Sequence, residues 1–400
     1  MKRRRRTWRI AAFAAAGLLV LLVVLAALGA WSNRGLPTQS AVVDRLAELD
    51  KARLAEALHL KEELGDAIWP GWGSADVPVI LYNEAYVFLV GCPEPAPGWI
   101  TVPGDKVIGG PWEEVPGDTF NSAPYHRQKL PASGTTPQAF TVRVGERYVA
   151  SFQTTEWMRI SMMQMVRDTL PPVIEDVVPY RLALRLFIGG TDGYISLLLH
   201  ESFHAYQGTV APSRLATSER VMTMAADYEG HDPAMNDAWQ EELSQLAAAA
   251  SSTSRDEVAN LARRFLAHRA GRRASSGLSP ALVDFERARE WEEGLAKYVE
   301  LAAWRAGFET GTYRPLPAMA HDPDFRDYST FAAKWSRELG QMKRNSGGEV
   351  RFYYSGLAQA VLLDRLMPGW KARALLDDAW LEDLVAESVT EGAGIPIPRQ

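Results

Sequence analysis

Residues Ile10 to Trp31 form a run of 22 residues that is uncharged and almost wholly apolar. As a helix rising about 1.5 Å per residue, such a run spans the hydrocarbon of a bilayer. Lys2, Arg3, Arg4, Arg5, Arg6 and Arg9 precede it, so the excess of positive charge keeps the N-terminus cytoplasmic and sends the rest of the chain outward. Ala27-Leu28-Gly29 offers a small-x-small cleavage site, the mark of a signal peptide and of a secreted product, but signal sequences have apolar cores of only about 7–15 residues. The length favours an uncleaved anchor over residues 10–31 behind a basic cytoplasmic tail, residues 1–9. Trp31 suits the outer interface, and no second run of this kind follows, so a single-pass protein with an extracytoplasmic domain is expected.

That domain has an ordinary globular composition, since the chain as a whole is 47% hydrophobic and 23% charged. Of its 43 Lys and Arg, seven lie in the first 34 residues, which contain no acid. The remainder therefore holds 36 basic groups against 49 acidic ones, a net charge of about −13. Such a surface repels phosphate backbones, and no nucleic-acid partner is expected. Cys92 is the one cysteine. It has no partner for an intramolecular disulfide and reads as a small core residue.

The pattern along the chain predicts an α+β protein: the N-terminal transmembrane helix, then a sheet-rich lobe, then a mainly helical lobe. Between Ser40 and Asp66, Val43, Leu46, Leu49, Leu54 and Leu58 recur at helical spacing, which predicts a helix within residues 36–68 that either forms a stalk or packs on the domain. His59 reads as a residue of its surface. Residues 69–190 carry short β-prone runs separated by Pro and Gly. Phe140 to Val144 and Tyr148 to Phe152 around Gly145-Glu146 predict a hairpin, and Tyr180 to Ile188 alternates as a half-buried strand. Residues 191–393 read as helical. Asp232-Pro233, Ser254 with Glu257, and Ser279-Pro280 mark three helix starts, the last continuing to Trp304.

Chemistry concentrates at His200-Glu201-Ser202-Phe203-His204. Tyr194 to Leu199 precede it in a pattern that places it on a helix, where residues four apart share a face, so His200 and His204 can hold one metal ion. Glu201 lies about 100° round, too far to complete the ligand set but suited to take a proton from water as a general base. A catalytic zinc needs a third protein ligand. Position 207 is Gln and position 210 is Val, which excludes the form that ends in a third histidine. Downstream, Trp291-Glu292-Glu293-Gly294-Leu295-Ala296-Lys297-Tyr298 offers carboxylates on a second long helix. Gly294 weakens that helix by about 1 kcal/mol, which points to close packing there against the motif helix.

The two segments together resemble the gluzincin branch of metallopeptidases, in which H-E-x-x-H is completed by a glutamate in an E-G-x-A-x-Y sequence. The resemblance covers roughly residues 180–370 and implies a zincin-like helical lobe, zinc as the cofactor, His200, His204 and Glu293 as its ligands, and Glu201 as the base. Glu290 and Glu292 are alternatives for the third ligand. The spacing departs from the pattern, since 88 residues separate His204 from Glu293. The family also uses a later Tyr or His as oxyanion donor. Tyr354 is the expected catalytic tyrosine, from Arg351-Phe352-Tyr353-Tyr354-Ser355-Gly356, with Tyr353 and Tyr298 as contenders. A strand near 180–188 would pair with extended substrate. His126, His231, His268 and His321 have no ligand spacing to one another. The sequence thus predicts a membrane-anchored zinc peptidase acting on peptide or protein substrates. The alternative is a silent relative serving as a binding or sensor module.

Overall fold

The computed structural model describes residues 16–391 apart from 18, 19, 22, 139, 140, 182–189, 233, 345, 346 and 376–378. The expected cytoplasmic tail and the first part of the expected anchor lie outside these residues, as do positions 182–188 of the expected strand. Among the described residues no helix is long and apolar enough to cross a membrane.

The architecture is mixed α+β. Among the described residues eight strands form one sheet: β1 Val79–Tyr82, β2 Tyr86–Val90, β3 Trp99–Thr101, β4 Val107–Ile108, β5 Glu113–Glu114, β6 His126–Lys129, β7 Val142–Val144 and β8 Arg147–Gln153. Their order is β4-β3-β7-β8-β1-β2-β6-β5. β1 and β8 run parallel, with Val79 opposite Ala150 and Tyr82 opposite Gln153. The hairpin expected around Gly145 is β7 and β8, paired from Val142–Val149 to Val144–Arg147. Gly145 takes φ +60°, which a tight hairpin turn requires and glycine adopts without steric cost. Asn83 breaks the run from Val77 to Val90 into two strands. Its Oδ1 accepts from the backbone N–H of Ala85 at 2.9 Å and of Tyr86 at 2.8 Å, a local turn that competes with strand pairing.

The side-chain period of two sends alternate residues of the central strands to opposite faces. Leu81, Phe88, Ala150 and Phe152 join the core shared with the helices, whereas Ile80, Val87, Leu89 and Val149 join a second core with Trp99 and Cys92. Cys92 is buried there, as expected of a small apolar residue.

The motif helix, Gly190–Val210, lies across β8. Tyr194 donates its hydroxyl to Gln153 O at 2.8 Å, and its ring lies 5.5 Å from that of Phe152. The segment open to stalk or packed readings is the helix Glu48–Ile68, and it packs on the motif helix and on Leu295–Glu309. Its Leu54 and Leu60 are buried, and Arg53 forms a buried pair with Asp322 at 2.8 Å. The stalk is therefore corrected to an element of the domain: a helix with that much apolar surface lowers its free energy by covering the motif helix. One apolar cluster joins this helix, one face of the sheet and the later helices, so the two expected lobes share a core.

Two of the three start signals hold, and Pro233 of the other lies outside the described residues. Ser254 Oγ caps Arg255–Ser275 by accepting from Glu257 N–H, and Ser279 Oγ caps Pro280–Arg289 by accepting from Leu282 N–H. The reciprocal half of the first capping box is absent, because the Glu257 carboxylate accepts instead from Ser252 Oγ at 2.6 Å. Pro280–Arg289 runs through a π-turn, Glu290–Gly294, into Leu295–Glu309. Such widened turns are rare and occur mostly at functional sites.

Candidate metal centre

The motif helix and the π-turn bring three donor atoms together. His200 Nε2 and His204 Nε2 are 3.0 Å apart, and Glu293 Oε2 lies 3.4 Å from each. Ligand atoms at about 2.0–2.1 Å from a tetrahedral zinc ion stand about 3.3–3.4 Å from one another, so the residues fit a metal of that kind. The three side chains are buried, at 4%, 6% and 8% exposure for His200, His204 and Glu293. This is the one such group of His, Cys, Asp and Glu among the described residues.

Each donor is aimed by a neighbour. His204 Nδ1 meets Gln207 Oε1 at 2.9 Å, and His200 Nδ1 faces Glu300 Oε2 at 3.5 Å. Arg289 donates to Glu293 Oε1 at 2.6 Å, leaving Oε2 as the atom presented to the imidazoles. The electrostatics call for a cation. Burial alone would hold His200 below its ordinary pKa, yet the carboxylates of Glu293 and Glu300 outweigh burial and raise it to about 10. His204 is raised against burial by Glu293 in the same way. Burial also opposes ionisation of Glu293, but hydrogen bonding from both imidazoles holds it well below the carboxylate range. The same three side chains could hold a divalent cation, with which protons would compete.

Glu201 stands beside the cluster without joining it. It is 7% exposed, and its Oε2 is buried with no hydrogen-bond partner among the described residues. Burial raises its pKa, partly opposed by His200 and His204. An unpartnered carboxylate oxygen next to three converging donors is what a proton acceptor for a water molecule requires.

The alternatives for the third ligand are committed elsewhere. Glu290 accepts from Arg269 Nη1 at 2.9 Å, Ser355 Oγ at 2.6 Å and Gln359 Nε2 at 3.0 Å. Glu292 accepts from Arg289 Nη1 at 2.6 Å and from Ser218 Oγ. The expected catalytic tyrosine is corrected. Tyr354 donates to Glu338 Oε2 at 3.1 Å, away from the donors, whereas the Tyr353 ring stacks on His200 with ring centroids 5.9 Å apart. Consecutive helical residues diverge by about 100°, so only one of the pair can face the cluster. Tyr298 is likewise occupied, donating to Asp364 Oδ2 at 2.8 Å.

Gly294 does pack closely, but against Gly356 rather than against the motif helix. A Cβ on Gly356 would lie 2.6 Å from Gly294 Cα, and one on Gly294 would strike the Gly356 backbone. Backbone cannot move aside as a flexible side chain can. Gly294→Ala is therefore expected to destabilise the protein by about 1–3 kcal/mol. Gly271, helical with open space around it, is the control, and Gly271→Ala should stabilise by about 0.4–1 kcal/mol. Denaturant midpoints check both, and equal effects at the two positions would refute the close-approach account.

Sequence reasoning missed Gln207, Arg289, Glu300 and the priority of Tyr353. Three of these carried a spacing signal: Gln207 is three residues past His204, Arg289 four before Glu293, and Glu300 seven after it, all on faces shared with a ligand. Comparison with known proteins adds no relative, since no family model, no curated protein and no solved structure matches the chain.

Proposed function

We propose that this protein is a zinc-dependent hydrolase of the gluzincin type, anchored in a membrane by residues 10–31 and cleaving peptide bonds on the extracytoplasmic side. The observation that carries the reading is the set of three donor atoms at 3.0–3.4 Å, from two helices distant in sequence. Three protein ligands rather than four are the mark of a catalytic site. Held by His200, His204 and Glu293, zinc would supply Lewis acidity, which brings the pKa of water toward about 7 and polarises a carbonyl.

The chain's own residues would do the rest. Glu201 receives the proton of the attacking water on its unpartnered oxygen and returns it to the leaving amine. Tyr353 keeps its phenol proton, since burial and the Glu293 charge raise its pKa, and so acts as a hydrogen-bond donor to the oxyanion. Tyr353→Phe should lower kcat by about 10²–10³ while leaving zinc content unchanged. Unchanged kcat would remove Tyr353 from the mechanism.

Zinc content of the full-length protein, purified without chelator, and a peptide-library digest test the reading. About one zinc per chain and cleavage abolished by chelator are expected. If there is no zinc and added metal does not raise the melting temperature, the reading fails. The burial of all four motif-related side chains favours a second reading, a membrane-bound sensor or binding module that holds zinc without turnover. Zinc at full occupancy with no cleavage across the library would select it.

A further inference from the structure

We propose that Gln207 is a positioning residue that couples the two ligand-bearing helices and fixes the ring nitrogen His204 presents. This rests on the metal-centre reading and adds how that centre is preorganised. Gln207 is fully buried on the motif helix. Its Nε2 lies 3.0 Å from the carbonyl oxygen of Trp291 and 3.4 Å from that of Glu292, both in the π-turn that carries Glu293. Backbone carbonyls only accept hydrogen bonds, so the amide –NH₂ must face them and Oε1 must face His204.

The consequence passes to the imidazole. Oε1 at 2.9 Å from His204 Nδ1 can only accept, so Nδ1 carries the proton. In the neutral ring the lone pair then sits on Nε2, the nitrogen that faces His200 and Glu293. One amide therefore does two things. Its donor end ties the π-turn to the motif helix, setting where Glu293 stands, and its acceptor end sets the tautomer of His204. The carbonyls it uses belong to the turn itself, which gives the π-turn a role: it directs backbone acceptors at the helix bearing the other two ligands. Ligand-orienting bonds of this kind commonly change metal affinity by about 10–100-fold.

Full-length wild type, Gln207→Met and Gln207→Glu decide the matter. Zinc affinity is read by competition with a chromophoric chelator, and the protonated ring nitrogen by nuclear magnetic resonance of ¹⁵N-histidine in the zinc-loaded protein. Wild type should show a slowly exchanging Nδ1 proton on His204. Gln207→Met should lose that protection and bind zinc about 10–100-fold more weakly. Gln207→Glu keeps an acceptor for Nδ1–H and should restore the protected proton, while its lost amide donor lowers the melting temperature of the zinc-free protein. A Met variant that keeps the protected proton and binds zinc within twofold of wild type overturns the proposal. If the Met variant does not fold, the isosteric Glu variant decides: an exchanging Nδ1 proton there, or an unchanged melting temperature, is fatal. A wild type that binds no zinc sinks the metal reading itself, and is seen before any variant is compared.

Discussion

Glu293→Ala is expected to leave the protein folded and nearly free of zinc. Structural zinc sites bind with about 10–16 kcal/mol, so one ligand of four accounts for about 2.5–4 kcal/mol, or two to three orders of magnitude in affinity. The loss should be specific to this carboxylate. Glu290→Ala, three residues away, removes the partner of Arg269, Ser355 and Gln359 and leaves a buried guanidinium without one of its counter-charges. That variant should melt at lower temperature, as breaking buried pairs costs about 3–5 kcal/mol, yet keep its zinc. Both variants take a carboxylate from a buried arginine, Arg289 or Arg269, so zinc content rather than melting temperature separates ligation from scaffold. Zinc retained by Glu293→Ala at wild-type stoichiometry would overturn the assignment of the third ligand.

Glu201→Gln should keep full zinc occupancy and lose catalysis by about 10²–10⁴ in kcat, the range a general base contributes. The amide has almost the same shape as the carboxylate and disturbs no hydrogen bond of Oε2, which has none among the described residues. What it cannot do is accept and return a proton. Replacing a buried carboxylate by a neutral group also removes a desolvation cost, so stability should not fall. Turnover within tenfold of wild type would show that proton transfer does not pass through Glu201. Zinc loss in this variant would show that Glu201 ligates, contrary to its place beside the cluster.

Much of the fold was legible because local chemistry set it. The caps at Ser254 and Ser279, the turn glycine at Gly145 and the helical context of His200 and His204 each depend on residues within a few positions of one another. The role of the helix Glu48–Ile68 was not legible, because amphipathic periodicity says that a helix buries one face without saying against what. Tyr354 was preferred over Tyr353 for the same reason. The choice depends on the rotation of its helix about its axis, and that is fixed by the contact of Gly356 with Gly294. Gly294 itself was rightly read as a packing residue but given the wrong partner, since a missing side chain does not identify what approaches it.

By itself the sequence determined which side chains could share a cation on one helix, because a four-residue spacing has a single geometric meaning there. The resemblance named Glu293 as the remaining ligand, with Glu290 and Glu292 as alternatives. Tertiary structure places Glu293, and not the other two, against both imidazoles. The buried arginines and hydroxyls that engage Glu290 and Glu292 come from elsewhere along the chain, and the π-turn rotates Glu293 Oε2 toward the imidazoles. A carboxylate's role follows from the charge it faces, and that charge is set by residues the folded backbone brings near.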